Sequence, residues 1–107
     1  MKPKDAGKPK TNHPDVSTTE AKWWWSAEDH KFALEVLQLR LRRNILRFLG
    51  QGTRTIDEIE KEFGLGIEQA KYHLAMLEEG LVVERVGDSY SSTLTGRLYL
   101  ERVENRR

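Results

Sequence analysis

Only three residues, Gly64-Leu65-Gly66, separate two stretches that both place apolar side chains at helical spacing. Upstream, Ile56, Ile59 and Phe63 recur three and four apart, and downstream Ile67, Ala70, Leu74 and Leu77 do the same. Glycine ends a helix readily because it accepts left-handed backbone. So short a link makes the second helix turn sharply and cross the first, which constrains the chain to a helix-turn-helix unit. The sequence predicts the second of these helices over residues 67–79. Thr55-x-x-Glu58 is a capping box that opens the first, whose outward side chains Asp57, Glu58, Glu60 and Glu62 are acidic.

Upstream, Ser26-x-x-Asp29 resembles a capping box and puts Glu28 and Asp29 where the helix dipole favours negative charge. One helix is expected from Ala27 to about Leu49, ended by Gly50-Gln51-Gly52. At ~100° per residue, Leu34, Leu37, Leu41, Ile45, Phe48 and Leu49 share one face, while Phe32, Val36, Leu39 and Leu46 lie roughly opposite. A helix apolar on both sides needs two cores. The second face is therefore expected to meet another copy of the chain, with Phe32, Val36 and Leu39 in that interface. Trp23, Trp24 and Trp25 stand directly before the helix and are expected to seal the same homodimer, Trp25 also serving as a hydrophobic staple. Base stacking and a membrane-interface anchor are the alternative uses of three indoles.

After Gly80, Leu81–Val86 reads as a strand, Gly87-Asp88 as a two-residue turn and Ser89–Thr95 as the returning strand. Thr95 is expected to cap a last helix carrying Leu98, Tyr99, Leu100 and Val103. The order is α-α-α-β-β-α, a mainly α fold with a small β-hairpin wing, which is the layout of a winged helix-turn-helix domain over residues 23–107. Residues 1–22 hold all three prolines and five lysines with almost nothing apolar, and are expected to form a disordered basic tail.

Composition removes several function classes. The chain has no cysteine, which excludes disulfides, thiolate nucleophiles and Cys-based zinc sites. His13, His30 and His73 are dispersed, no glycine-rich phosphate loop is present, and the acidic pairs lack an accompanying nucleophile. No catalytic residue, metal or cofactor is assigned, and the chain is not expected to be an enzyme. No signal peptide or membrane span is expected, so the reading is a soluble cytoplasmic protein without a membrane partner. With 18 basic against 17 acidic residues, any attraction to nucleic acid must be local.

Residues 40 to 103 resemble the winged helix-turn-helix transcriptional regulators of the prokaryotic and archaeal ArsR-like type. The resemblance rests on Tyr72-His73-Leu74-x-x-Leu77 running into Gly80-Leu81-Val82, and on Leu94-Thr95-Gly96 after the wing. The resemblance implies a homodimer with helix 67–79 in the major groove of double-stranded DNA and the wing, residues 81–95, beside the backbone. Many such proteins dimerise through terminal helices, which adds Leu100 and Val103 to the expected interface. The Cys-containing metal-sensing motif of the family is absent, and no small-molecule effector is assigned.

The residues themselves supply the expected DNA contacts. Gln69 suits adenine, Glu68 can accept from cytosine, Lys71 can pair with phosphate or guanine, and Tyr72 can reach a phosphate or a thymine methyl. His73 lies at the margin of that face and also suits a packing role. Arg54 with Thr55, Arg85, Ser89 and Tyr90 in the wing, and Arg97 after it complete the expected set. The basic cluster Arg40, Arg42, Arg43 and Arg47, of which Arg40, Arg43 and Arg47 form one ridge, is read as a solvated face rather than as DNA contacts. The competing reading is a winged helix used for protein interaction or assembly, which the acidic helices suit.

Overall fold

The computed structural model describes residues 24–104, so the expected tail and Trp23 lie outside the described residues. Five helices and three short strands follow in the order α1 (Ala27–Val36), α2 (Arg40–Gly50), β1 (Arg54–Thr55), α3 (Ile56–Phe63), α4 (Ile67–Glu79), β2 (Val83–Val86), β3 (Ser89–Ser92) and α5 (Leu94–Glu104). The strands form one antiparallel sheet in the order β1-β3-β2. This is the winged helix-turn-helix architecture, with α3 and α4 as the helix pair and the β2-β3 hairpin as the wing.

Local signals place most element ends. The Ser26 hydroxyl accepts from the Asp29 amide at 3.0 Å and starts α1. At α3 the capping box is reciprocal: Thr55 Oγ1 accepts from the Glu58 amide at 3.2 Å, and the Thr55 amide donates to Glu58 Oε1 at 2.8 Å. Gly64 closes α3 in the left-handed region at φ 64°, a conformation that costs any L side chain about 1 kcal/mol. The hairpin turn is Gly87-Asp88, with Gly87 at φ 65° and Val86 paired to Ser89.

The expected single helix from Ala27 to Leu49 is two. The chain leaves helical geometry after Val36 and re-enters at Arg40, with Leu39 extended at φ −77° and ψ 126°. Neither glycine nor proline stands at the break; the cause is burial. Val36, Leu37, Ile45, Leu46 and Leu49 all enter one core, which a straight helix with apolar residues on two sides cannot arrange. Val36 is 1% exposed within the single chain. The second apolar face assigned to it does not exist, because the bend folds that face inward. Leu39, at the bend, remains exposed.

The carbonyls freed by the break are taken by arginine. Arg43 Nη1 donates to the carbonyls of Leu37 and Gln38 at 2.8 and 2.9 Å, and Arg42 Nη1 donates to that of Val36 at 3.4 Å. Unsatisfied carbonyls at a helix C-terminus favour positive charge as well as a donor. Arg42 is buried, so the basic cluster expected as a solvated face is in part a clamp on the bend.

Two further differences lie around the wing. The cap of the last helix is Thr93 rather than Thr95: Thr93 Oγ1 accepts from the Gly96 amide at 3.0 Å and donates to the Leu81 carbonyl at 2.8 Å, so α5 starts at Leu94. The returning strand accordingly stops at Ser92. The third strand, β1, was not expected from its two residues; it pairs Arg54 with Tyr90 and Thr55 with Ser89.

α4 ends in a Schellman motif. The Leu81 amide donates to the Glu78 carbonyl at 2.9 Å and the Val82 amide to that of Leu77 at 3.2 Å, with Leu81 left-handed at φ 67°. The first turn of α5 then crosses this exit so closely that a Cβ on Gly96 would stand 2.3 Å from the Val82 carbonyl oxygen. Gly96→Ala is expected to destabilise the fold by about 3 kcal/mol, since the clash is with backbone and cannot be relieved by a rotamer. Urea unfolding checks this, and an unchanged midpoint contradicts the close approach.

Candidate nucleic-acid interface

α4 is anchored by Ala70, Leu74 and Leu77, all buried. Ile67, expected in the same stripe, is 40% exposed, because the stripe begins one turn later than its spacing implies. With that anchor inward, Glu68, Gln69, Lys71 and Tyr72 point to solvent. Tyr72 is the most open aromatic of the face, at 57% exposure. Gly66 at the N-cap brings no side chain to the first-turn amides of α4, which leaves donors and the positive end of the dipole at the start of the exposed face.

His73 is half-buried and engaged. Its Nδ1 accepts a hydrogen bond from Arg42 Nε at 3.1 Å. The Arg42 guanidinium lies 5.4 Å from the centre of the Tyr72 ring, within reach of a cation–π contact. Tyr72 and His73 are edge to face at 5.2 Å. His73 is thus tied to α2 through Nδ1, and the partner that sequence reasoning missed is Arg42.

The sheet brings together Arg54 and Arg85, both Cα partners of Tyr90, in one row across β1, β3 and β2. Tyr90 itself is 8% exposed and belongs to the core, so its ring is withdrawn from the surface contact expected of it. Arg54 lies with its guanidinium 4.3 Å over the Phe48 ring, and Phe48 meets Phe63 edge-on at 5.7 Å. Arg54 Nε is buried with no hydrogen-bond partner. The Thr55 hydroxyl is committed to its cap. At the wing tip, Arg85 Nε donates to the Gly87 carbonyl at 3.2 Å and Ser89 bonds Asp88 at 3.3 Å, with Val86 exposed. Arg97 is exposed and donates from Nη1 to the Ser92 carbonyl at 2.9 Å. Guanidinium groups held this way keep donors available toward an anion.

The residues expected at a dimer interface separate. Trp24 is drawn into its own chain: its Nε1–H donates to the Gly80 carbonyl at 2.7 Å and its ring stacks obliquely on His30 at 4.9 Å. Phe32 and Leu100 are half-buried against the core. Trp25, Leu39 and Val103 are exposed, as is Leu34, which had been placed on the core face. Leu34 and Val103 line a groove of about 300 Å³ between α1 and α5. Among the described residues no group of three His, Asp or Glu side chains is placed to hold a metal ion, and no helix is long and apolar enough to cross a membrane.

Residues 37–86 match a family model described as a helix-turn-helix domain. The matched span runs from the bend to the end of β2 and so contains the whole helix pair and the Arg42–His73 contact. Comparison with curated proteins and with solved structures returns no match. A match to a helix-turn-helix domain supports binding to double-stranded DNA.

Burial, and then the charge of Arg42, hold the His73 pKa below its ordinary value of 6.5. The folded state thus binds this proton less readily than the unfolded state. The stability it contributes is full above the unfolded value and is lost as pH falls from there through the lowered folded value. Urea midpoints measured from about pH 8 to about pH 5 are expected to fall less steeply for His73→Gln than for the parent. Identical slopes contradict the contact.

Proposed function

We propose that the chain is a homodimeric, sequence-specific regulator of transcription, of the ArsR-like winged-helix type. It sets α4 in the major groove of double-stranded DNA and lays the wing along the backbone. The observation that carries this reading is the outward face of α4: Gln69, Lys71 and Tyr72 are exposed on a helix whose opposite side is fixed in the core. Gln69 supplies a paired donor and acceptor suited to adenine, and Lys71 a charge suited to phosphate or guanine. Arg54, Arg85 and Arg97 stand where backbone contacts are needed to offset Glu68, Glu78 and Glu79.

Fluorescence anisotropy of a random-sequence duplex at several salt concentrations tests the reading. Affinity is expected to fall steeply with salt, and Lys71→Glu is expected to weaken binding about tenfold, the scale of one base or phosphate contact with its charge reversed. A flat response at low salt favours the second reading, a protein-interaction module, which the exposed acids Asp57, Glu58, Glu62 and Glu68 support.

The homodimer is supported by the exposed apolar residues Leu34 and Val103, which line the α1–α5 groove, and by the exposed Trp25 at the start of α1. With Trp24 tied to Gly80 of its own chain, the informative substitutions are Leu34→Asp and Val103→Asp together. They are expected to weaken the dimer at least a hundredfold, since each places a charge in a desolvated contact. Sedimentation showing the double variant as dimeric as the parent at low concentration removes this face from the interface.

A further inference from the structure

Arginine has only donors, so an Nε–H aimed at an imidazole nitrogen makes that nitrogen an acceptor. At 3.1 Å, Arg42 Nε imposes this on His73 Nδ1. The neutral ring must then carry its proton on Nε2, because one nitrogen donates when the other accepts. A protonated ring would set N–H against N–H beside a permanent positive charge.

Arg42 is itself fixed. It is 6% exposed, its Nη1 is held by the Val36 carbonyl at the end of α1, and its guanidinium lies beside the Tyr72 ring, which in turn meets His73 edge-on. The groups that face His73 are thus the guanidinium from α2 and the phenol ring from its own helix, with the α1 carbonyl behind the guanidinium. The exposed face of α4 otherwise offers an acceptor at Glu68, an amide of either sense at Gln69, a flexible point charge at Lys71 and a rotatable hydroxyl at Tyr72. It lacks a donor of fixed direction.

We propose that Arg42 is a positioning residue for recognition: it presets His73 as an Nε2–H donor to an acceptor on the nucleic acid and holds the Tyr72 ring beside it. The acceptor is a phosphate oxygen or the N7 and O6 edge of guanine. This inference rests on the DNA-reading role of α4.

The tautomer is read by long-range proton–nitrogen correlation of His73 in the free protein. The expected result near neutral pH is a single Nε2–H form in the parent and a mixture in Arg42→Met, which removes the donor while keeping an apolar side chain of similar length. Two variants at His73 carry the test if Arg42→Met does not fold. Glutamine at 73 places an amide donor near the Nε2 position, whereas asparagine leaves only an acceptor near Nδ1. His73→Gln is expected to bind duplex within about twofold of the parent, and His73→Asn about fivefold more weakly, the worth of one net hydrogen bond.

Equal losses on a random pool and on a selected site assign the acceptor to phosphate, and a loss confined to the selected site assigns it to a base. An Nδ1–H or mixed tautomer in the parent, or asparagine binding as tightly as histidine, overturns the inference while leaving DNA binding intact. A parent protein that binds no duplex at low salt overturns the DNA reading and this role with it.

Discussion

Two guanidinium groups stand where a helix would otherwise have continued. The bend between α1 and α2 lets Val36 and Leu37 share a core with Ile45, Leu46 and Leu49, but it strips three carbonyls of their helical partners. Left without a donor, the buried Val36 carbonyl would cost about 1–3 kcal/mol, so the bend depends most on Arg42, while Arg43 covers the more open carbonyls of Leu37 and Gln38. Arg43 serves the bend alone. Arg42 serves it with one nitrogen and reaches α4 with another, so the same side chain that allows the core to close also touches the face that meets solvent.

The arrangement also explains how a helix with three glutamates is compatible with the proposed DNA-binding role. Glu78 and Glu79 close α4, at its far end from the uncapped amides, and Lys71 on its outer face is joined by cations on other elements: Arg54 on β1, Arg85 on β2 and Arg97 on α5. The chain's balance of 18 basic to 17 acidic residues therefore says little about the surface that matters, since the fold sorts the charges by element rather than by sequence.

Much of the architecture was legible because its signals are local. Ser26, the Thr55–Glu58 pair, Gly64 and Gly87-Asp88 each act within four residues of themselves, and each stands where the spacing placed it. What escaped depended on partners distant in sequence. The break at Leu37–Leu39 contains no breaker residue and follows from which side chains the core admits. Thr93 outcompetes Thr95 as a cap because its hydroxyl is also held by Leu81, twelve residues away. Tyr90 left the wing surface, and Arg42 the solvated face, through burial that periodicity alone does not reveal. Most of the α4 face was readable from helical geometry; the arginine behind it was not.

Gly80, Leu81 and Val82 follow one another at the exit of α4, and each has its carbonyl engaged from elsewhere. Trp24 Nε1 holds the first, the Thr93 hydroxyl the second and the Thr93 amide the third. The joint between α4 and the wing is thereby fastened by the N-terminal arm and by the start of α5 together. Such a joint behaves as a fixed caliper, with helix and hairpin at a set separation. In the proposed complex, any mismatch between that separation and the distance from groove floor to backbone must be met by deforming the duplex. Sequence preference then includes the stiffness of base steps that no side chain touches.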